Sequence, residues 1–327
     1  MSSCRWVKVV LLTPARRRVI GQRLLQAVPV VILATFIVFG LLKLLPGDIA
    51  VTLAGENATE ARIHEIRELY GLNRPFLVQY GSWLGNAVQG DLSKSLASRE
   101  PVAVSIARSF PNTLLIVLIA MSIALTIGIP LGMLAASRPD SLLDRVVTAI
   151  ASLGIAVPNF WLAMILVLFF AIDLGWFPAT GAVPFGQDAL RSLHHALLPA
   201  IALAAGGVAE VSRQLRSSMV EVLSSPFVRT LRAKGLPSQV ILWKHGLKNV
   251  SVNLLTVATL MFNRMLAATV VVEAVFAIPG MGSLIVNAAL SRDLPVVQGV
   301  VFVMVLIVIS VNLMADVLYT ILDPRIG

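Results

Sequence analysis

The chain has 327 residues, of which 57% are hydrophobic and 13% charged, and its net charge is +9. A soluble domain carries about 25% charged residues, so this composition predicts a polytopic membrane protein and excludes an ordinary soluble enzyme. The positive charge fits basic residues collected on the inner side of a lipid bilayer, so we expect no nucleic-acid partner. The single cysteine, Cys4, excludes an internal disulfide, and no Cys/His cluster suggests a metal site.

The N-terminal segment, residues 1–23, is basic and precedes an apolar run from Leu24 to Leu45. A signal peptide would have an apolar region of about 7–15 residues that ends in a small-residue cleavage site. This run is longer, and Pro46-Gly47-Asp48 follows it. The pattern therefore favours a retained first transmembrane helix at 24–45, preceded by a cytoplasmic segment.

Residues 46–108 are predicted to form an extracytoplasmic loop with short helices. From Thr59 to Tyr70, apolar residues recur at helical spacing and charged residues occupy the other face. A second candidate helix covers Phe76 to Ala87. The simpler interpretation is a cap over the edge of the helix bundle, and the alternative is a docking platform for an external protein.

Residues 109–327 are predicted to form the transmembrane core, with a cytoplasmic segment at 217–248. Crossing a bilayer takes about 20 apolar residues as a helix. With the first helix, six segments qualify; they lie near 24–45, 112–136, 146–172, 196–216, 250–277 and 297–320. The predicted fold class is therefore an all-α polytopic membrane protein with six transmembrane helices.

The distribution of basic residues predicts the orientation of these spans. Arg138 and Arg145 flank the link between spans two and three, and seven basic residues from Arg213 to Lys248 lie between spans four and five. Arg191 is alone between spans three and four, and Arg292 between spans five and six. The long loop 46–108 carries at least as many acidic as basic residues, and long loops cross largely regardless of charge. Because basic residues concentrate in short cytoplasmic loops, we expect both termini inside and a multi-pass cell-membrane protein.

Two sequence features inside the spans predict local geometry. Gly128 and Gly132 have a spacing that lets two helices approach closely, and we interpret it as packing within one subunit. Pro158 in span three removes a backbone donor and predicts a bend. That bend is either a structural kink or part of a pathway.

Polar residues inside the spans are functional candidates because they are costly in lipid. They are Asn263, Arg264, Glu273, Asn312 and Asp316. Arg264 and Glu273 are about two and a half turns apart, so we do not expect them to pair. Hydrogen bonding between helices is the favoured interpretation for most of the set. For Asn263 and Arg264, lining a translocation pathway is an equal alternative.

The segment Ser225–Gly235 lies between two apolar runs and carries helix boundary signals. Ser225 is expected to cap a short helix, Pro226 suits its first turn, and Gly235 suits its end. A second helix is predicted from Ser238 toward Lys248. A helix of about two turns is marginal alone, so it needs other contacts. The pattern leaves two alternatives open, contact with lipid headgroups or docking of a partner.

At these residues the chain resembles the inner-membrane permease subunits of ABC-type importers of the dipeptide, oligopeptide and nickel group. The family's cytoplasmic loop is matched by Val228–Leu236 and by His245–Asn249. Further similar stretches are Leu45–Asp48, Leu72–Tyr80, Gly90–Leu92, Phe110–Thr113, Pro158–Trp161, Phe177–Gly181, Glu273–Phe276, Pro279–Gly282 and Asp323–Ile326. Leu231 departs from the family's usual alanine, and Asn253 from a common proline.

The resemblance implies a type I ABC importer permease fold and a set of partners. These are a second, homologous permease subunit, two ATP-binding subunits, an extracytoplasmic substrate-binding protein and a peptide substrate. It also implies that a coupling helix contacts an ATPase. That helix would comprise Pro226, Phe227, Val228, Arg229, Thr230, Leu231, Arg232, Ala233, Lys234 and Gly235.

The same resemblance implies a transport subunit rather than an enzyme, with no cofactor in this chain. The sequence contains no G-x-x-x-x-G-K-[ST] phosphate-binding loop, so ATP and Mg are expected on the partner ATPase. The alternatives are a stand-alone secondary carrier or channel, a permease for nickel or another small solute, and a membrane scaffold.

Overall fold

The computed structural model describes residues 14–44, 50–51, 59–69, 71 and 73–322, and this part of the chain is helical and forms no strand. The predicted all-α class is confirmed. The helices are α1 (Pro14–Leu44), α2 (Glu60–Leu69), α3 (Phe76–Val88), α4 (Val102–Ser137), α5 (Leu142–Ala156), α6 (Asn159–Asp173), α7 (Ala189–Ser224), α8 (Pro226–Ala233), α9 (Ser238–Val275), α10 (Met281–Leu290) and α11 (Leu294–Leu322).

The third predicted span is broken at Pro158, where a bend was predicted. Among the residues that the structure describes, five helices are long and apolar enough to cross a membrane, and α5 with α6, bent by 95°, makes six when the pair is counted as one span. The break falls at Val157 and Pro158, where Val157 has extended backbone angles. Proline lacks a backbone N–H and disfavours helical geometry in the residue before it, so α5 ends there.

The other spans are longer than predicted. Helix α4 begins at Val102 instead of near 112, and α7 covers Ala189–Ser224 instead of 196–216. The helix predicted from Ser238 toward Lys248 is present, and it continues without a break into the fifth span as α9. Hydropathy detects only the apolar stretch of a helix, whereas the backbone hydrogen bonds extend through its polar ends.

The described residues divide into two compact units, one within 22–110 and 283–310 and one within 14–21, 111–282 and 311–322. In the first unit, aromatic side chains join the first span to α3. Phe39 packs edge-on against Phe76 and Tyr80 with ring centroids 5.2 and 5.6 Å apart. The Tyr80 hydroxyl lies 2.9 Å from the Thr35 hydroxyl. The two short helices predicted in this region are confirmed as α2 and α3.

The loop before α4 is held by two carboxylates of the same unit. Asp293 accepts hydrogen bonds from the Ser95 hydroxyl and from the two backbone N–H groups that follow it. Glu100 accepts hydrogen bonds from Ser105 and Arg108, and these bonds hold the pKa of Glu100 below its usual value. Asp293, in the link between α10 and α11, thus contacts the loop 46–108 directly.

In the second unit, glycines let α4 lie very close to α7. A Cβ added at Gly132 would lie 2.7 Å from the carbonyl oxygen of Ser212, and one at Gly128 would lie 2.9 Å from Cβ of Val211. Small residues permit such approaches in membrane helices, where packing rather than water exclusion drives association. The interpretation of this motif as packing within one subunit is confirmed.

We expect Gly132→Ala to destabilise the protein by about 1–3 kcal/mol, because the new methyl group overpacks against backbone that cannot yield. The matched control is Gly85→Ala in α3, where a Cβ meets nothing within 4 Å. There the better helix propensity of alanine should leave stability unchanged or raise it by up to about 1 kcal/mol. Unfolding in detergent measures both variants, and equal shifts would contradict the close approach.

Candidate functional site

The predicted helix between two spans is present as α8, and its two ends differ in how well they were predicted. Ser225 precedes the helix with extended backbone angles, but its hydroxyl donates to the carbonyl of Val222 at 2.5 Å. The predicted side-chain cap by Ser225 is therefore wrong. A serine hydroxyl can satisfy a carbonyl three residues back instead, here one at the end of α7.

The other end of α8 is closed by a glycine, as predicted. Gly235 has a φ of +77°, a backbone conformation that residues with a side chain rarely adopt. The N–H of Gly235 donates to Arg232 at 2.9 Å, and that of Leu236 donates to Leu231 at 3.2 Å. These two bonds form a Schellman motif, which satisfies the last carbonyls and defines where the helix stops.

Helix α8 has one anchored face and one exposed face. Val228 is fully buried, and Leu231, three residues later, is half-buried on the same side. Arg229 and Arg232 are exposed, and Phe227 is 37% exposed. Leu231, which differs from the alanine expected from the resemblance, therefore lies on the face that packs against the rest of this chain. The face with Arg229 and Arg232 is exposed.

The ends of α4, α7 and α9 meet in an apolar cluster. Its buried members are Met133, Ala136, Leu215, Met219, Leu242 and Val250. A polar contact adds to it, because the Asn253 amide donates to the Ser218 hydroxyl across α9 and α7. The asparagine that replaces the family's common proline is thus used to join two helices. Helix α8 is therefore attached at both ends to helices that pack together.

A buried ion pair connects the start of α5 to α7. Asp144 is 2% exposed and accepts two hydrogen bonds from the Arg216 guanidinium, one of them at 2.6 Å. It also accepts one from the backbone N–H of Asp140 at 3.0 Å. The linker between α4 and α5 is thereby fixed to α7 about three turns before α8 begins. From the sequence, Arg216 was interpreted only as one of the basic residues between spans four and five, and its pairing with Asp144 was not predicted.

We expect Asp144→Asn to destabilise the protein by about 3 kcal/mol, since it leaves the Arg216 charge without a carboxylate in a largely buried place. The matched control is Glu65→Gln, which removes a carboxylate from the Arg62–Glu65 pair. Those side chains are 54% and 64% exposed, so the control should cost less than about 1 kcal/mol. Unfolding in detergent compares the two, and a similar small loss in both would contradict the buried pairing.

A cavity of about 560 Å³ lies where the α5–α6 break faces α7 and α9. Its walls contain three charged residues, Glu210, Arg213 and Arg264. Arg264 forms an ion pair with Glu210. The remaining lining residues are Gly154, Ile155, Val157, Asn159, Leu203, Gly206, Gly207, Met261, Met265, Ala267 and Ala268.

The two residues proposed from the sequence as pathway candidates are separated by the structure. Arg264 lies on the cavity wall, whereas Asn263 donates from Nδ2 to Oδ1 of Asn312 at 3.3 Å, between α9 and α11. Hydrogen bonding between helices, one of the two interpretations of Asn263, is therefore observed. Glu273 accepts from the Thr113 hydroxyl at 2.5 Å, so it does not serve as the partner of Arg264.

Glu210 and Arg213 were missed as members of one site. In the sequence they were interpreted only as polar residues that make the end of the fourth span hard to define. Their spacing of three residues on a helix, which places them on one face, could have indicated the site. Three charged side chains on the wall of a cavity, a broken span and a short exposed helix between two spans indicate the class of protein, a multi-pass membrane permease.

The solved structures of the MetNI methionine ABC transporter in inward-facing conformations share this fold. One of them aligns with a TM-score of 0.57 at 18% identity, covering 67% of this chain and 96% of that chain.

The chain belongs to the family of binding-protein-dependent transport system inner membrane components. That family's model matches residues 128–327, and the model of its N-terminal part matches residues 17–117. The oligopeptide transport system permease protein AppB of Bacillus subtilis is 39% identical, covering 93% of this chain and 98% of that protein. The glutathione transport system permease protein GsiC of Escherichia coli is 38% identical, covering 93% and 97%.

Proposed function

We propose that this chain is the permease subunit of an ATP-driven peptide importer and forms half of the translocation pathway. The family assignment supports a multi-pass membrane permease. The names of similar proteins support peptides as the substrate, since they specify oligopeptide, dipeptide and glutathione transport. The similarity therefore favours peptides over nickel and a complex over a carrier that works alone.

The proposed complex contains a second, homologous permease subunit, two ATP-binding subunits and an extracytoplasmic substrate-binding protein. In this arrangement ATP and Mg bind to the ATP-binding subunits, which perform the hydrolysis. This chain supplies a path and a mechanical contact, and it is not an enzyme. Both termini and α8 lie on the cytoplasmic side, in keeping with the basic residues around α8.

The single observation that carries the coupling proposal is the open basic face of α8. A helix of eight residues is marginal alone, but Val228 and the contact with α7 hold this one in place. Arg229, Arg232 and Phe227 then project from a fixed support. We propose that this face occupies a groove of an ATPase subunit, so that closure of the ATPases displaces α8 and the helices attached to it.

We expect the double variant Arg229→Glu/Arg232→Glu to reduce co-purification of the ATPase subunits at least about tenfold, because reversing charges across an interface costs several kcal/mol. Peptide uptake into reconstituted vesicles should fall in parallel. The control is Arg191→Glu, an exposed charge reversal in the first turn of α7, which should leave co-purification unchanged. Normal ATPase binding and uptake in the double variant would overturn the assignment of α8.

We expect Gly235→Ala to weaken ATPase docking more than it reduces membrane insertion. A Cβ at Gly235 meets nothing within 4 Å, so the cost is the positive φ itself, about 1–2 kcal/mol. Gly21→Ala is the matched control, since it also meets nothing within 4 Å and has no positive φ. Co-purification and membrane yield, measured side by side, separate docking from insertion. Equal assembly and full transport in Gly235→Ala would argue against this role.

A further inference from the structure

The cavity contains an arginine that the proposed function does not yet use. Arg213 lines the cavity and makes no hydrogen bond or ion pair with the described residues, 14–44, 50–51, 59–69, 71 and 73–322. It belongs to α7, a helix long and apolar enough to cross the membrane. Ionisable residues in such helices are costly and characteristically face a polar cavity or a charged ligand.

The charges of the cavity do not balance. Glu210 and Arg213 project from one face of α7, and Arg264 reaches Glu210 from α9. Arg264 lines the cavity, and its side chain is 62% exposed despite this pairing, so the ion pair does not cover it. The walls therefore present two guanidinium groups against one carboxylate. Guanidinium groups bind carboxylates through two parallel hydrogen bonds, which makes a carboxylate the matching ligand.

The remainder of the wall suits a small peptide. Apart from the three charged groups and the Asn159 amide, it is formed by glycine, alanine and apolar side chains. Its volume of about 560 Å³ is typical of pockets that enclose small ligands. Because Glu210 stands beside the arginines, the site complements a molecule with both a negative and a positive end. A purely anionic lipid phosphate would meet repulsion from Glu210.

We propose that this cavity binds the C-terminal carboxylate of the peptide during transport, through Arg213 and Arg264. Glu210 neutralises Arg264 when no peptide is present and faces the peptide's ammonium group when one is. This proposal rests on the proposed function, because it assigns the place where the peptide is held within the membrane part of the importer.

The test uses the complete complex in lipid nanodiscs and a photo-crosslinking residue, p-benzoylphenylalanine. It is placed at Ala268, on the cavity wall, or at the control position Leu260, which is 53% exposed and lies outside the cavity lining. Radiolabelled alanine peptides of two to five residues are added directly, so the selectivity of the binding protein does not enter. Each peptide is used with a free C-terminus and as its C-terminal amide.

We expect free peptides to crosslink at position 268 and not at 260, and their amides to crosslink about tenfold less, as for loss of a charged hydrogen bond. Arg213→Gln and Arg264→Gln should reduce the yield similarly, and Arg213→Lys should restore part of it. Arg191→Gln should change nothing. Membrane yield and ATPase co-purification identify variants that fail to fold, and the amide comparison in the wild-type protein does not depend on any variant.

Equal crosslinking of free and amidated peptides, or a yield unaffected by Arg213→Gln, would overturn the carboxylate site. Loss of the peptide crosslink when phosphatidylcholine is replaced by phosphatidylglycerol would also overturn it, since a lipid would then be the ligand. ATP-driven uptake of the same peptides into vesicles is measured separately. If uptake occurs without a selective crosslink, only this inference fails; if no peptide is taken up, the proposed function fails.

Discussion

The close approach of α7 to its neighbours is the constraint on which the transmembrane core depends. Lipid offers no water to exclude, so membrane helices associate through packing of small residues and through polar contacts between helices. Helix α7 uses both. It packs against α5, α6 and α9, and glycines of α4 and α5 fit against its backbone. Arg216 joins it to α5, and Glu210 joins it to α9.

Because α7 makes these contacts and also leads into α8, the cavity and α8 are both attached to the same helix. Arg213 stands on α7, and Ser225, about three turns later, begins the connection to α8. No flexible linker separates them, since the α7 hydrogen bonds continue to Ser224. Under the proposed function, a displacement of α8 would reach the charged wall of the cavity along one continuous helix. The Asp144–Arg216 ion pair also attaches the α4–α5 linker to α7.

The architecture was largely predictable, whereas the geometry of the site was not. Apolar stretches predicted the spans because the bilayer selects for them directly, and Gly235 predicted the end of α8 because few residues tolerate its backbone angles. The partners of Arg264 and Arg216 could not be predicted, since each lies on a different helix more than 50 residues away. A bend was predicted at Pro158, but its 95° angle depends on packing that one span does not reveal. The cap by Ser225 was predicted wrongly because a serine hydroxyl at this position can bond either to the N–H groups of the next helix or to a carbonyl of the previous one.

The break between α5 and α6 also determines how the cavity must be solvated. Where a helix ends, its last carbonyl groups and the first N–H groups of the next helix lack partners within the helix. Here Gly154, Ile155, Val157 and Asn159 at that break line the cavity wall. Hydrocarbon cannot satisfy exposed backbone groups, and irregular backbone at membrane depth is tolerated only beside protein or a water-filled space. We infer that the cavity must admit water or polar groups of a solute, because the backbone groups at the break need hydrogen-bond partners that lipid cannot supply.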